Sequence, residues 1–154
     1  MGIFGWQVIA IGRCRAQENN SHTTNTMHYS FSKKITGLDY VAVMEKAKEA
    51  LKEQGFGVLT EIDVAATLKK KLDIEYGKYT ILGVCNPALA HKALEAEKEI
   101  GLFLPCNVIV YEQDDAVVVS GIMPTVAMNM LDNAELSAIA SQAEEKMKTA
   151  IDAI

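Results

Sequence analysis

A cysteine followed by an asparagine occurs twice in the sequence, at Cys85-Asn86 and at Cys106-Asn107. A thiol becomes a nucleophile or a soft-metal ligand when it loses its proton, and a positively polarised environment favours that loss. Cys85 lies just before Asn86-Pro87, a pair typical of a helix start, and the N-terminus of a helix is positively polarised. These four Cys and Asn residues are therefore the main candidates for a catalytic or ligand-binding site.

A purely structural role accounts for the same residues. Free cysteine is among the most buried residue types and packs as a small hydrophobe. Asn86 is suited to cap the helix that follows it, and Asn107 to pair with backbone groups. The structural interpretation is favoured, and no disulfide is expected between the two cysteines.

The predicted helix between the two cysteines also argues against a joint site. Its apolar stripe predicts a helix from Pro87 to Ile100 that Gly101 ends, about 20 Å long at 1.5 Å per residue. If this helix returns along the sheet, Cys106 begins its strand at the end opposite Cys85. The two thiols are then not expected to meet within one subunit.

Two carboxylates, Glu61 and Asp63, lie at the end of a predicted strand from Phe56 to Ile62. Paired carboxylates can divide acid and base roles when their environments differ, which makes Glu61 a third catalytic candidate. Alternation places Glu61 on the face opposite Val58 and Ile62. Asp63 precedes a predicted helix and is suited to cap it, so a structural role is favoured for the pair.

Methionines and histidines give weaker signals. With a thiolate, the thioethers of Met123, Met128 and Met130 could bind Cu(I), although methionine more often fills gaps in a core. His91 lies on a helix near Glu95, which favours an exposed ion pair. The sequence contains no CxxC pair, no phosphate-binding glycine loop and no metal-ligand spacing of His and Cys. It therefore predicts no metal site and no cofactor.

Composition limits the class of protein. The chain has 154 residues, 49% of them hydrophobic, and a formal net charge of −5, which suits one globular domain and argues against a nucleic-acid partner. No apolar run reaches the roughly 18–20 residues that a membrane span requires. The odd count of three cysteines does not indicate a disulfide framework. We therefore expect a reduced, cytoplasmic protein without nucleic-acid or membrane partners.

The first residues differ from the rest. The apolar run from Ile3 to Gly12 is followed by Arg13 and Arg15, whereas a secretory signal carries its basic residues before the run. A polar stretch separates it from the first periodic pattern. The sequence thus predicts a flexible extension over residues 1–26, dispensable for folding, and a single domain over residues 27–154.

Periodicity within that domain predicts the element order β-α-β-α-β-α-β-β-α, with a short helical segment after Pro124. Two adjacent apolar runs, from Cys106 to Glu112 and from Ala116 to Met123, flank a short polar turn and indicate a β-hairpin. A hairpin favours an α+β fold over a doubly wound parallel sheet. We expect a curved mixed or antiparallel sheet with helices packed on one face.

Three segments resemble the domain of unknown function 302 family of small bacterial and archaeal proteins: GFGVLTEIDV at 55–64, ILGVCNP at 81–87 and IGLFLPCNVIVYE at 100–112. The likeness covers most of residues 27–154, in the same order and with similar spacing. It implies a compact domain similar to TATA-binding-protein-like folds, and a homodimer. It implies no known activity.

Two functional classes stay open at this point. One is a dimeric binding or assembly module that takes a small molecule or a protein. The other is a thiol-dependent enzyme or soft-metal-handling protein that uses Cys85, Cys106 or both. The first is favoured because none of the catalytic candidates outweighs its structural explanation.

Overall fold

The structure, a computed structural model, describes residues 28–154. The elements are β1 (Ser30–Ile35), α1 (Tyr40–Glu53), β2 (Gly57–Asp63), α2 (Val64–Leu72), β3 (Tyr79–Cys85), α3 (Pro87–Ala96), a 3-10 helix (Lys98–Phe103), β4 (Cys106–Gln113), β5 (Ala116–Ile122), α4 (Pro124–Met128) and α5 (Ala134–Asp152). The predicted α+β class is confirmed. The proposed extension over residues 1–26, with Cys14 in it, lies outside the described part of the chain.

The strands form one five-stranded sheet in the order β1-β5-β4-β3-β2. Every neighbouring pair is antiparallel, including the predicted hairpin of β4 and β5. Of the two alternatives left by the sequence, mixed or antiparallel, the sheet is therefore the antiparallel one. The chain leaves β3 at Cys85 and re-enters the sheet as β4 at Cys106, and antiparallel neighbours require these two points to lie at the same end.

Helices α1 and α5 pack on one face of the sheet. Their apolar stripes meet the inward side chains of β3, β4 and β5 in one cluster, whose most deeply buried members include Leu51, Leu82, Val110, Val119 and Met147. Helix α1 begins where the side chain of Asp39 accepts a hydrogen bond from the backbone N–H of Ala42. It is followed by Gly55 at a φ of +82°, a left-handed conformation that glycine adopts without steric penalty.

A second apolar cluster lies beside the first. It is formed by α3, the 3-10 helix, α4 and the first half of α5, with Leu89, Ile100, Met128 and Leu136 among its buried residues. Helix α5 contributes to both clusters, so it ties the sheet-covering layer to the small helical layer.

The helix after Pro87 is shorter than predicted. It ends at Ala96, and Glu97 takes an extended backbone conformation (φ −155°, ψ 117°) before the 3-10 helix that contains Gly101. The predicted apolar stripe consists of Leu89, Ala93, Ala96 and Ile100, and all of these are buried except Ala96, which is half-buried. Because the break at Glu97 redirects the chain, it does not travel the length of the sheet as the longer helix would have required.

Strand β2 also departs from the predicted alternation. A bulge between Val58 and Thr60 inserts one extra residue opposite β3, so that Val58 pairs with Val84, and Glu61 pairs with Leu82. Residues 82 and 84 lie on the same face of β3. Val58 and Glu61 therefore share a face, and the prediction that they lie on opposite faces was wrong, because a bulge shifts the period of a strand by one.

The other face of the sheet, which we call the open face, carries the alternate side chains of all five strands. Its central members are Tyr79, Ile81, Ile109, Tyr111 and Ser120, with Ser32, Ile62 and Ile122 nearer the edges. Most of these side chains remain half-buried or exposed; Ile62 has 46% of its surface exposed. In the part of the chain from residue 28 onward, no helix is both long and apolar enough to cross a membrane.

Candidate functional site

The structure brings the two core cysteines close together. Cys106 pairs directly with Val84, the neighbour of Cys85, across the β3–β4 ladder. Both residues border the same small cavity. The expectation that Cys106 begins its strand at the end of the sheet opposite Cys85 was wrong, because it assumed a long helix that crosses to the other end. The register nevertheless directs their side chains to opposite faces of the sheet, since Cys106 shares a face with Val84 and Cys85 does not.

The cavity between these cysteines, the thiol cavity, has a volume of about 30 Å³. Its walls combine Cys85, Asn86 and Cys106 with apolar side chains of α3, α4 and α5, including Leu89, Met128 and Ile139. A space of this size holds about one water molecule. It admits a single ion or a water, and it is too small for an organic substrate.

Burial disfavours the thiolate form of both cysteines. Burial raises the pKa of Cys85. Burial also raises the pKa of Cys106, to about 11, and the neighbouring Cys85 adds to that increase. A nucleophilic cysteine has a depressed pKa, since the thiolate is the reactive form. Neither thiol therefore has the electrostatic environment of a catalytic nucleophile, despite the helix N-terminus next to Cys85.

Asn86 performs the capping role that its type suggests. Its side-chain oxygen accepts a hydrogen bond from the backbone N–H of Leu89 at 3.3 Å, and its amide donates to the carbonyl of Gln54 at 3.5 Å. Asn86 thus links the start of α3 to the end of α1. Asn107 lies on the open face, opposite Gly83, so the two Cys-Asn dipeptides do not form one four-residue site.

Glu61 and Asp63 have separate structural roles. Glu61 forms an ion pair with Lys48 of α1 at 2.9 Å. Asp63 caps α2, accepting a hydrogen bond from the N–H of Ala66 at 2.8 Å. Because each carboxylate already has its own partner, the arrangement does not resemble a pair that divides acid and base roles.

The three methionines are also separated. Met128 is buried and borders the thiol cavity, whereas Met130 is 77% exposed. Met123 lies near Tyr29, at the end of β5. Among residues 28–154, no group of three or more His, Cys, Asp or Glu side chains could hold a metal ion.

A groove on the open face is the main feature that the sequence did not reveal. It lies across β1, β5 and β4, has a volume of about 310 Å³, and contains polar Ser30, Ser32, Asn107 and Ser120 with apolar Tyr29, Ile109, Tyr111 and Ile122. The hydroxyl of Ser32 donates to that of Ser120 at 2.8 Å, which in turn donates to the carbonyl of Phe31 at 3.3 Å. The sequence shows that Ser30 and Ser32 alternate with larger residues. Only the order of the strands in the sheet shows which side chains lie next to them.

Known proteins match the chain at the level of family and fold. The family described as "Domain of unknown function DUF302" matches residues 31–154. The chain belongs to the DUF302 family. A solved DUF302 structure from Bacillus stearothermophilus, described as an uncharacterized conserved protein, is 28% identical, with a TM-score of 0.77. The alignment covers 82% of this chain and 98% of that one. None of the curated proteins with which the sequence was compared matches it.

The thiol cavity and most of the groove lie within the part of the chain that matches the DUF302 family. The matched region begins at Phe31, one residue into β1, and includes the thiol cavity entirely. The groove is inside it apart from Tyr29 and Ser30. Both candidate sites are therefore built on the DUF302 fold itself.

Proposed function

We propose that this DUF302 domain is a homodimeric binding module that uses the open face of its sheet both to assemble and to hold a small molecule. The observation that carries the proposal is the unequal covering of the sheet. Helices α1 and α5 cover the central strands on one face, while the opposite face presents half-exposed aromatic and aliphatic side chains. A second copy would cover that face.

The aromatic side chains of the open face suit an interface. Tyr79 and Tyr111 stack with their ring centroids 5.5 Å apart, and Tyr76 meets Tyr79 edge-on at 6.2 Å. Tyrosine is enriched at protein interfaces because it combines a large apolar area with a hydroxyl that stays hydrogen-bonded. The row of three tyrosines thus provides a preformed anchor beside Ile81 and Ile109.

The groove beside this row suits a neutral ligand. Its walls contain hydroxyl and amide groups and no charged side chain. Binding pockets are mostly apolar with a few polar groups that fix the orientation of the ligand. The chemistry favours a small molecule with an apolar body and neutral hydrogen-bonding groups over a phosphate or a carboxylate, which require cationic partners.

The thiol-dependent enzyme is the weaker alternative. Burial raises the pKa of both Cys85 and Cys106, so the thiolate population at neutral pH is small. The cavity between them is also too small for an organic substrate. Any reaction at these thiols would first require the cavity to open.

Native mass spectrometry of gently purified protein tests the binding proposal. We expect a dimer that carries a bound small molecule from the cell. Ser32→Leu places a bulky side chain in the groove and should remove that extra mass while the dimer persists. Ser141→Leu, an exposed change on α5, is the matched control and should retain it. Equal retention by both variants would show that the groove is not the binding site.

A further inference from the structure

A second groove lies beside helix α4, next to the groove on the open face. This α4 groove has a volume of about 670 Å³ and is bordered on its helical side by Met123, Val126, Ala127, Asn129 and Met130. Among residues 28–154, those that line it contribute one amide group and no charged side chain. The α4 groove is therefore mostly apolar, and its size is that of a small-molecule site.

The two grooves meet at the end of the β1–β5 pair. Tyr29 and Ile122 border both of them. The backbone N–H of Met123, the residue before α4, donates a hydrogen bond to the carbonyl of Tyr29 at 2.8 Å. This bond holds the start of α4 beside the chain that enters β1. A ligand that extends past Ile122 would therefore occupy the groove on the open face and the α4 groove together.

The hydrogen-bond chain in the groove on the open face has a fixed direction. The carbonyl of Phe31 can only accept, so its 3.3 Å contact with Ser120 uses the proton of the Ser120 hydroxyl. Ser120 Oγ must then accept in its 2.8 Å contact with Ser32, whose hydroxyl donates. Because Ser32 has no second hydroxyl proton, its oxygen can only accept from a ligand. This position therefore favours a ligand group that donates a hydrogen bond.

The α4 groove suits a flexible aliphatic chain. Met123 and Met130 have unbranched side chains with several rotatable bonds, which adapt to partners of variable shape. Met130 is 77% exposed and Val126 is half-buried, so part of this apolar surface faces solvent. Met128, by contrast, is buried in the second apolar cluster. An aliphatic chain that lies along the α4 groove would remove the exposed surface from water, which is favourable.

We propose that the ligand of this DUF302 domain is a neutral single-chain amphiphile. A hydroxyl or amide N–H of its head group donates a hydrogen bond to Ser32 Oγ, and its aliphatic chain extends past Ile122 into the α4 groove. The inference rests on the proposed function, because it names the class of molecule that the groove on the open face would hold.

NMR of the full chain, labelled at the methionine methyl groups, tests this proposal with primary alcohols as probes. Hexanol, octanol and decanol are added below the concentrations at which they aggregate. We expect the resonances of Met123 and Met130 to shift, while those of the buried Met44 and Met147 stay in place. Each added methylene should lower the dissociation constant by about two- to fourfold, because it buries more apolar surface.

A comparison of octanol with its methyl ether, which lacks the donor, tests the head group. The ether should bind the parent protein about fivefold more weakly, since one hydrogen bond is lost. Ser32→Ala removes the acceptor and should bind the alcohol and the ether equally. Ser141→Ala, at an exposed position on α5, is the matched control and should keep the preference for the alcohol. An unchanged preference in Ser32→Ala would overturn the assignment of the head group.

Charged variants test the position of the chain. Val126→Glu places a carboxylate in the α4 groove and should abolish the gain of affinity with chain length. Met130→Glu, at an exposed position, makes the same test if Val126→Glu does not fold. Leu102→Glu, 83% exposed in the 3-10 helix, is the matched control and should keep the gain.

Equal affinity of the parent protein for hexanol and decanol, or unmoved resonances of Met123 and Met130, would overturn the proposal. The proposed function is judged separately by native mass spectrometry. If the dimer carries a molecule from the cell that Ser32→Leu removes, the proposed function stands even when the alcohols fail to bind.

Discussion

Gly83 shows at the scale of one residue how tightly the open face is built. It lies on β3 between Thr60 of β2 and Asn107 of β4. A Cβ atom at this position would collide with the side chains of Thr60 and Pro105. Glycine is therefore required here by close approach, since two neighbouring side chains occupy the space above its backbone.

Replacing Gly83 with Ala should destabilise the domain. Forcing an extra methyl group into a packed site typically costs about 1–3 kcal/mol. Gly101→Ala is the matched control, because a Cβ there meets no atom within 4 Å, and it should leave stability nearly unchanged. Urea unfolding followed by circular dichroism measures both variants. Equal midpoints for the two would show that the contact at Gly83 relaxes freely.

At the scale of elements, Glu144 joins α4 to α5. Its buried carboxylate accepts hydrogen bonds from the backbone N–H and the hydroxyl of Thr125, and from Lys148 at 2.7 Å. Burial alone would raise the pKa of Glu144, but the hydrogen bonds from Lys148 and Thr125 outweigh it and lower the pKa. A carboxyl group with a lowered folded pKa stabilises the fold above its unfolded pKa, and this stabilisation is lost as pH falls through the folded value.

Glu144→Gln should therefore remove a pH-dependent part of the stability. The amide still accepts hydrogen bonds from Thr125 but loses its charge-assisted contact with Lys148, so we expect a loss of about 1 kcal/mol at pH 7. The gap between wild type and variant should close as the pH is lowered below about 4, near the intrinsic pKa of glutamate. Thermal unfolding at several pH values measures this gap. Glu145→Gln, one residue away and exposed, is the matched control and should leave the stability nearly unchanged.

The element boundaries were largely predictable wherever local chemistry sets them. Asp63 and Asn86 each cap the helix that was expected to follow. The end of α3 was not predictable, because the apolar stripe continues through Ile100 although the helix stops at Ala96. Ile100 is buried by the 3-10 helix instead, and the periodicity of burial does not distinguish these two geometries.

The candidate sites were less predictable because they depend on tertiary placement. The position of Cys85 at the same end of the sheet as Cys106 follows from the antiparallel pairing of β3 and β4, which the predicted long helix did not allow for. Met128 borders the same cavity because of packing between helices. A single bulge in β2 also changed which residues share a face with Glu61. None of these long-range relations has a local sequence signal.

At the scale of the whole molecule, the two faces of the sheet have different surroundings. One is covered over its central strands by α1 and α5. The other leaves Tyr79, Ile81, Ile109 and Tyr111 only half-buried. Contiguous exposed apolar surface on a folded protein usually marks an interaction site. Two sheets that pack face to face lie about 10 Å apart, and such packing would bury these side chains reciprocally in a symmetric dimer.

Light scattering at micromolar concentration tests the dimer most directly. The wild-type protein should have twice the mass of one chain. Ile109→Lys places a charge in the middle of the open face and should give the mass of one chain with the fold kept. Leu102→Lys, at an 83% exposed position in the 3-10 helix, should remain dimeric. A monomeric wild type, or a fully dimeric Ile109→Lys variant, would contradict assembly through the open face.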